Sequence, residues 1–216
     1  MIPAASIARA ARIAVAFCVL ASPPAARAQD QALSALLEGM RSATGVIAEF
    51  EETKQLAMLS QPLVARGTVY FVPPARLVRE VTSPGRSRLV VDGDRVVFED
   101  ETGRNAMNLS GSPMARQMID SFVVLFNGDE KRLRELYDVE FSGDATAWKL
   151  RLVPRSMPLS RMVASFEMSG AQARIDRMDM AEPDGDRTVT VFGKTDSSHT
   201  FSETELKKLF GEAPAS

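Results

Sequence analysis

The chain has 216 residues, 26 basic and 28 acidic side chains and a formal net charge of −2. No block of like charge appears, which excludes the basic stripe of a nucleic-acid-binding surface. One cysteine, Cys18, excludes an internal disulfide and a cysteine-ligated zinc site.

Arg9 and Arg12 precede an apolar run from Ile13 to Ala21, a Ser22-Pro-Pro break and the small-residue pair Ala26 and Ala28. That order is a secretory signal peptide, cut after Ala28. The apolar run falls short of the about 20 residues that span a bilayer. Cys18 would be a lipid-attachment site only with a small residue before it, and Phe17 stands there, so it reads as part of the leader's apolar core. The expected mature chain, 29–216, is then one cysteine-free domain exported to the periplasm.

Ala32, Leu33, Leu36, Leu37 and Met40 recur at helical spacing and predict an amphipathic helix over 30–42. The period then changes to two. Val46 to Met58 puts Ala48, Phe50 and Glu52 on one face and Ile47, Glu49 and Glu51 on the other. Strands are predicted at 63–72, 76–82, 88–91, 95–99 and 104–109. They are separated by Pro73-Pro74, Ser83-Pro-Gly85 and Asp92-Gly-Asp94. A run of short strands with close turns argues for an antiparallel meander rather than βαβ units.

Pro113 opens a helix with Met114, Met118, Phe122, Leu125 and Phe126 on one side, and Gly128 ends it. A shorter helix follows over 129–136, with Leu133 and Leu136 inward. Strands resume around Val139, Trp148, Phe166, Ile175 and Val189, and Ser202-Glu-Thr-Glu205 has the spacing of a capping box before a closing helix. The total is about eleven strands and three or four helices.

A single sheet must cover its apolar face, and a strongly twisted one curls to enclose a hollow. Such a hollow takes apolar ligands. Met58, Met107, Met114, Met118, Met157, Met162, Met168, Met178 and Met180 suit a surface that repacks, although each alone reads as core filling. Chemistry is poorly provided for. His199 is the sole histidine, in a polar stretch, and no G-x-S-x-G elbow is present. Asp92-Gly-Asp94 and Asp184-Gly-Asp186 lack calcium-loop spacing and read as turns. Glu51 and Glu52 read as a solvated strand edge.

Phe50-Glu-Glu-Thr-Lys, then Gly67 to Leu77 (GTVYFVPPARL), Thr82-Ser-Pro84 and Leu89 to Phe98 (LVVDGDRVVF) follow in an order that resembles the LolA-like outer-membrane lipoprotein carriers. Leu125 to Asp129, Trp148 to Pro154 and Phe166 to Gly170 are similar to the second half of such proteins. The resemblance covers nearly all of the expected mature chain. It implies a mainly β, α+β fold: an incomplete antiparallel β-barrel of about eleven strands covered by helices. It also implies an apolar cavity for acyl chains, no cofactor and no enzyme activity. A carrier of this kind takes an acylated lipoprotein or another envelope lipid from an inner-membrane transporter to an outer-membrane acceptor, as a monomer. The family's lid-latching arginine falls at Pro73 here, which leaves Arg76 or Arg79 as substitutes. The residues expected to hold the acyl chains are Phe50, Val69, Phe71, Leu77, Leu89 and Val91 on the sheet. Met114, Met118, Phe122 and Phe126 are expected to do so on the lid. Two alternatives are a periplasmic sensor or adaptor of the same fold that signals by protein contact, and an esterase built on His199.

Overall fold

Alternation of apolar and polar residues after position 45 is the pattern of strands buried on one face. In the computed structural model, which describes residues 24–211, those segments form one antiparallel sheet of 11 strands. They are β1 (Val46–Gln55), β2 (Leu63–Val72), β3 (Arg76–Ser83), β4 (Ser87–Asp92), β5 (Arg95–Asp100) and β6 (Gly103–Asn108), then β7 (Tyr137–Gly143), β8 (Trp148–Pro154), β9 (Ser165–Ala171), β10 (Arg174–Ala181) and β11 (Arg187–Asp196). Their order is β6-β5-β4-β3-β2-β1-β11-β10-β9-β8-β7, so β1 pairs with β11 at the centre and β6 and β7 are left as edges. The barrel is incomplete, as the resemblance to the LolA-like carriers implies.

Helix α1 (Pro24–Arg41) begins earlier than its apolar period, because proline is tolerated in a first turn and the alanines around it favour helix. Most of the expected leader, 1–23, lies outside the described residues, while its last part enters α1. β1 stops at Gln55 rather than Met58, where Leu59 donates to the Leu56 carbonyl in a turn. No helix among the described residues is long and apolar enough to cross a membrane.

The registers assign each side chain to a face. Trp148, Leu150 and Leu152 of β8 lie opposite Gly170, Met168 and Phe166 of β9, and Tyr137, Val139 and Phe141 of β7 share their face. This is the concave side, and α1 and α2 (Pro113–Asn127) bury it with Leu33, Leu36, Leu37, Val124 and Leu125. α3 (Glu130–Leu136) adds Leu133. α4 (Glu203–Phe210) covers the opposite, convex face of β3 to β5, where Leu209 and Phe210 meet Val78, Val90 and Val97. The sheet thus has two separate cores, one on each side.

Caps fix the lid helices. Ser112 accepts from the Ala115 amide at the start of α2, and Pro113 takes the first position, where a missing N–H costs nothing. Gly128 ends α2 with φ of 67°, and a side chain there would run into Arg41 of α1, its Cβ 2.9 Å from the amide nitrogen. The turn between α2 and α3 therefore sits flush against α1. Asp129 caps α3 by accepting from Arg132 N at 3.0 Å.

Candidate functional site

The concave face of β1 to β6 carries the six sheet residues expected at the site. Phe71 pairs with Leu77 and Leu77 with Val91; Val69 pairs with Arg79 and Arg79 with Leu89. Phe50 pairs with Gly67 on the same side. Partners across an antiparallel ladder share a face, so all six side chains are on one surface. Phe50, Phe71 and Val91 are buried, whereas Val69, Leu77 and Leu89 are partly exposed.

Above them, α2 divides along its length. Val123, Val124 and Leu125 are buried, Met118, Phe122 and Phe126 are half-buried, and Met114 is 64% exposed. The Phe126 ring lies 6.1 Å from Phe71, and Phe122 stands edge-on to Phe166 at 5.6 Å. The lid thus bridges the two halves of the sheet through aromatic pairs. Toward its start the contacts turn polar: Arg116 pairs with Asp94 in the β4–β5 turn, and Gln117 donates to the Met157 carbonyl at 3.4 Å. Around this end Phe98 (42% exposed), Met107 (52%), Met157 and Met162 leave apolar surface uncovered.

A cavity of about 250 Å³ lies between the end of α1 and the centre of the sheet. Val46, Ala48, Val69, Phe71, Ile175 and Phe192 line it, with Phe126 of the lid and Met40 of α1. Val69, Phe71 and Phe126 of the expected ten are among its walls; Phe50, Leu77, Leu89, Val91, Met114, Met118 and Phe122 are not. Phe192 and Thr195 both face it although they are three apart in β11. A bulge makes this possible: Ala48 pairs with Thr195 but Phe50 with Phe192. The β11 contribution was missed for that reason, and because the β1–β11 pairing is set by strand order rather than by local pattern. Val46 and Ala48 were available from the alternation that picked Phe50.

Neither substitute arginine reaches the lid. Arg76 stacks on Phe210 of α4, 3.8 Å from the ring centroid, and pairs with Asp92 at 2.7 Å. Arg79 stays on the concave face, 4.6 Å above the Phe50 ring, with Glu52 at 2.9 Å. The lid is tied instead by Tyr137, whose buried hydroxyl donates to the Ser121 carbonyl at 2.7 Å, and by the Arg116–Asp94 pair. Burial pushes the Tyr137 phenol well above its ordinary pKa, so it stays a donor.

Among the described residues, the His199 ring is held by carboxylates rather than by a hydroxyl. His199 Nε2 is 3.1 Å from Glu205 and its Nδ1 3.6 Å from Asp196, with Phe201 edge-on at 4.5 Å. Glu205 is the acidic half of the α4 capping box with Ser202, which explains that contact as helix capping. Asp184 and Asp186 approach Glu182, but Asp186 accepts from the Ala57 amide and Glu182 pairs with Lys54. Those carboxylates hold a turn. Glu51 and Glu52 do not lie at a strand edge, because β1 is paired on both sides at the centre of the sheet; Glu51 is solvent-exposed and pairs with Arg66, while Glu52 is turned inward to Arg79.

Residues 21–209 match the family model described as outer membrane lipoprotein carrier protein LolA-like. The chain belongs to that family. The outer-membrane lipoprotein carrier protein of Chromohalobacter salexigens is 25% identical over 173 residues, 80% of each chain. Among solved structures, a LolA superfamily protein from Nitrosomonas europaea has a TM-score of 0.42 at 8% identity. That match covers 82% of this chain and 96% of the other. The Pseudomonas aeruginosa MucA/MucB complex has a TM-score of 0.46 at 14% identity, over 83% of this chain and 60% of the matched one. In this LolA-like chain the hollow is bounded by the concave sheet, α1 and α2, and its walls are chiefly apolar.

Proposed function

We propose that this LolA-like protein is a periplasmic carrier that holds the acyl chains of a lipoprotein or another envelope lipid in the concave hollow. It would receive them from an inner-membrane transporter and pass them to an outer-membrane acceptor. One observation carries the reading: an apolar cavity lies under a helix that is firmly packed at one end and loosely tied at the other. Exposing an acyl chain of about sixteen carbons to water costs on the order of 12 kcal/mol, at about 0.8 kcal/mol per CH₂. Free diffusion between membranes is too slow against that cost, and an apolar wall removes most of it.

At about 250 Å³ the cavity is smaller than the ~300–1,000 Å³ typical of ligand sites. A whole chain therefore requires α2 to lift from Phe71 and Phe166. Filling the hollow exposes the apolar lid residues to ligand instead of to water, so uptake and lid opening are coupled. Release needs only a receiver that buries the chain equally well.

Purification from envelope extracts without detergent, followed by lipid mass spectrometry, tests this. The wild type is expected to retain an acylated molecule. Ala48→Trp, which fills the cavity from the floor, is expected to lose it while keeping a cooperative thermal transition. A lipid-free wild type that also fails to move labelled lipid between two vesicle populations would refute carriage.

A further inference from the structure

We propose that the cavity seats one acyl chain of medium length with its polar end at a mouth beside the end of α1, and that this mouth favours an uncharged hydroxyl head group over a carboxylate or phosphate. The proposal rests on the reading of this cavity as the acyl site. The cavity lining is graded in exposure. Met40, Ala48 and Phe71 are buried, Thr195 is half-buried, and Ser42, Arg174 and Ser197 are exposed. Exposed lining residues mark where the hollow meets solvent. These three stand just past α1, at the start of β10 and just past β11. The opening thus lies toward the pinned end of the lid, whose Phe126 also lines the cavity, and not at Met114. This is where a polar end would rest with the lid closed.

The mouth is lined by hydroxyls and by one matched cation. Among the described residues Arg174 is the one charged side chain lining the cavity, and its Nε and Nη2 both donate to the Asp176 carboxylate, at 2.6 and 3.3 Å. That charge is balanced before a ligand arrives. Lys194 and Asp196 flank Thr195 without lining the cavity. Ser42 donates to the Gly39 carbonyl at 2.9 Å and Thr195 to the Gly193 carbonyl at 3.2 Å, which leaves their lone pairs to accept. The last turn of α1 also ends here, with Gly39 and Met40 in the cavity wall. A helix C-terminus carries about half a unit of negative charge. Arg41 in that turn is paired with Glu38. Acceptors beside a negative helix end attract a hydrogen-bond donor and repel an anion. A hydroxyl supplies the donor without the charge, whereas carboxylate and phosphate bring negative charge to it.

Volume sets the length of chain. An apolar cavity of about 150 Å³ takes a benzene molecule, so about 250 Å³ holds roughly ten carbons at the same density. Further carbons have to part Phe126 from Phe71. One hollow therefore gives two regimes. A short tail enters beneath a closed lid, and a long one is held in part by the lifted lid.

Delipidated protein is titrated by calorimetry with 1-octanoyl-, 1-decanoyl- and 1-palmitoylglycerol, and with decanoate and decyl phosphate at mildly alkaline pH. 1-Decanoylglycerol is expected to bind about tenfold tighter than either anion, the combined worth of a hydrogen bond and a helix-end charge. Affinity is expected to rise about fourfold per CH₂ from the octanoyl to the decanoyl ester. It should rise by less per CH₂ toward the palmitoyl ester, with slower association in stopped flow. Ser197→Arg places a cation at the exposed mouth and is expected to reverse the head-group preference while 1-decanoylglycerol still binds, a gain that misfolding does not produce. Equal binding of 1-decanoylglycerol and decanoate by the wild type, or an unchanged preference in Ser197→Arg, overturns the mouth and leaves the acyl reading standing. An unbroken gain per CH₂ up to the palmitoyl chain overturns the closed-lid limit. Binding of none of these amphiphiles overturns both the mouth and the acyl reading.

Discussion

The two halves of the concave face share one alternating pattern and meet different fates. Under β7 to β10, Tyr137, Trp148, Leu150, Leu152 and Phe166 are essentially sealed by α1 and the second half of α2. Across β3 to β6, Leu77 and Leu89 are only partly covered, and Phe98 and Met107 remain open to solvent, as does Met114 of α2. Strand chemistry does not separate them; the position of one helix does. The sealed half anchors α2; under the proposed carrier function, the open half is where cargo would be covered. This division suits a carrier, which must stay folded while one of its apolar walls changes partner.

The strongest way to break that comparison is to truncate each half in turn. Phe166→Ala removes a fully buried ring packed edge-on to both Phe122 and Tyr137, and should cost about 3–5 kcal/mol in urea denaturation. Phe98→Ala in the open half should cost distinctly less, about 1–2 kcal/mol, because 42% of the residue is already exposed. It should nevertheless lower lipid retention. If the two variants lose stability equally, the open half is core after all.

Tyr137→Phe tests the anchor more gently. The ring stays and one buried hydrogen bond to the Ser121 carbonyl is lost, at about 1 kcal/mol. Limited proteolysis should then cut first within α2 rather than in the sheet. Arg116→Ala removes the tie at the loose end of the same helix. An ion pair this exposed contributes about 0–1 kcal/mol, so Tm should barely move. Lipid uptake measured by stopped flow should accelerate, since the lid no longer has that contact to break. Unchanged uptake would mean that the loose end is not the entrance.

Most of the strand and helix positions were legible because the periods of two and 3.6 are local properties. Inward and outward residues of β1 followed from Ala48, Phe50 and Glu52 alone, and the turns from their prolines and glycines. The six sheet residues chosen for the site lie on one face for the same reason. What stayed hidden depends on tertiary choices. Pairing of β1 with β11, and the bulge that turns both Phe192 and Thr195 into the cavity, have no local signature. The stripe Met114, Met118, Phe122, Phe126 was readable, but the deeper burial of Val123 and Val124 came from how α2 is pinned by Gly128 against α1. Arg79 could have been read as inward by stepping two residues from Leu77, and was considered only as a latch.

The smallest effect belongs to the convex side, and it separates α4 from both halves of the hollow. Hydrogen bonds from the Ser202 hydroxyl and amide, with help from His199, hold the Glu205 carboxyl down from its ordinary 4.5 to about 2. A carboxyl depressed on folding stabilises the fold fully above its unfolded value and loses that contribution as pH falls through the folded one. Protection of the 203–210 amides from hydrogen exchange should therefore be flat above pH 4.5 and decline toward pH 2. Glu205→Gln keeps a side chain that can accept in the capping box but cannot titrate, so most of that decline should disappear. Trp148 lies in the sealed half and its indole donates to the Gln172 carbonyl at 2.9 Å, so its fluorescence reports on a different core. A Trp148 signal that follows the α4 amides through the same acid transition would show that the two sides of the sheet unfold as one unit.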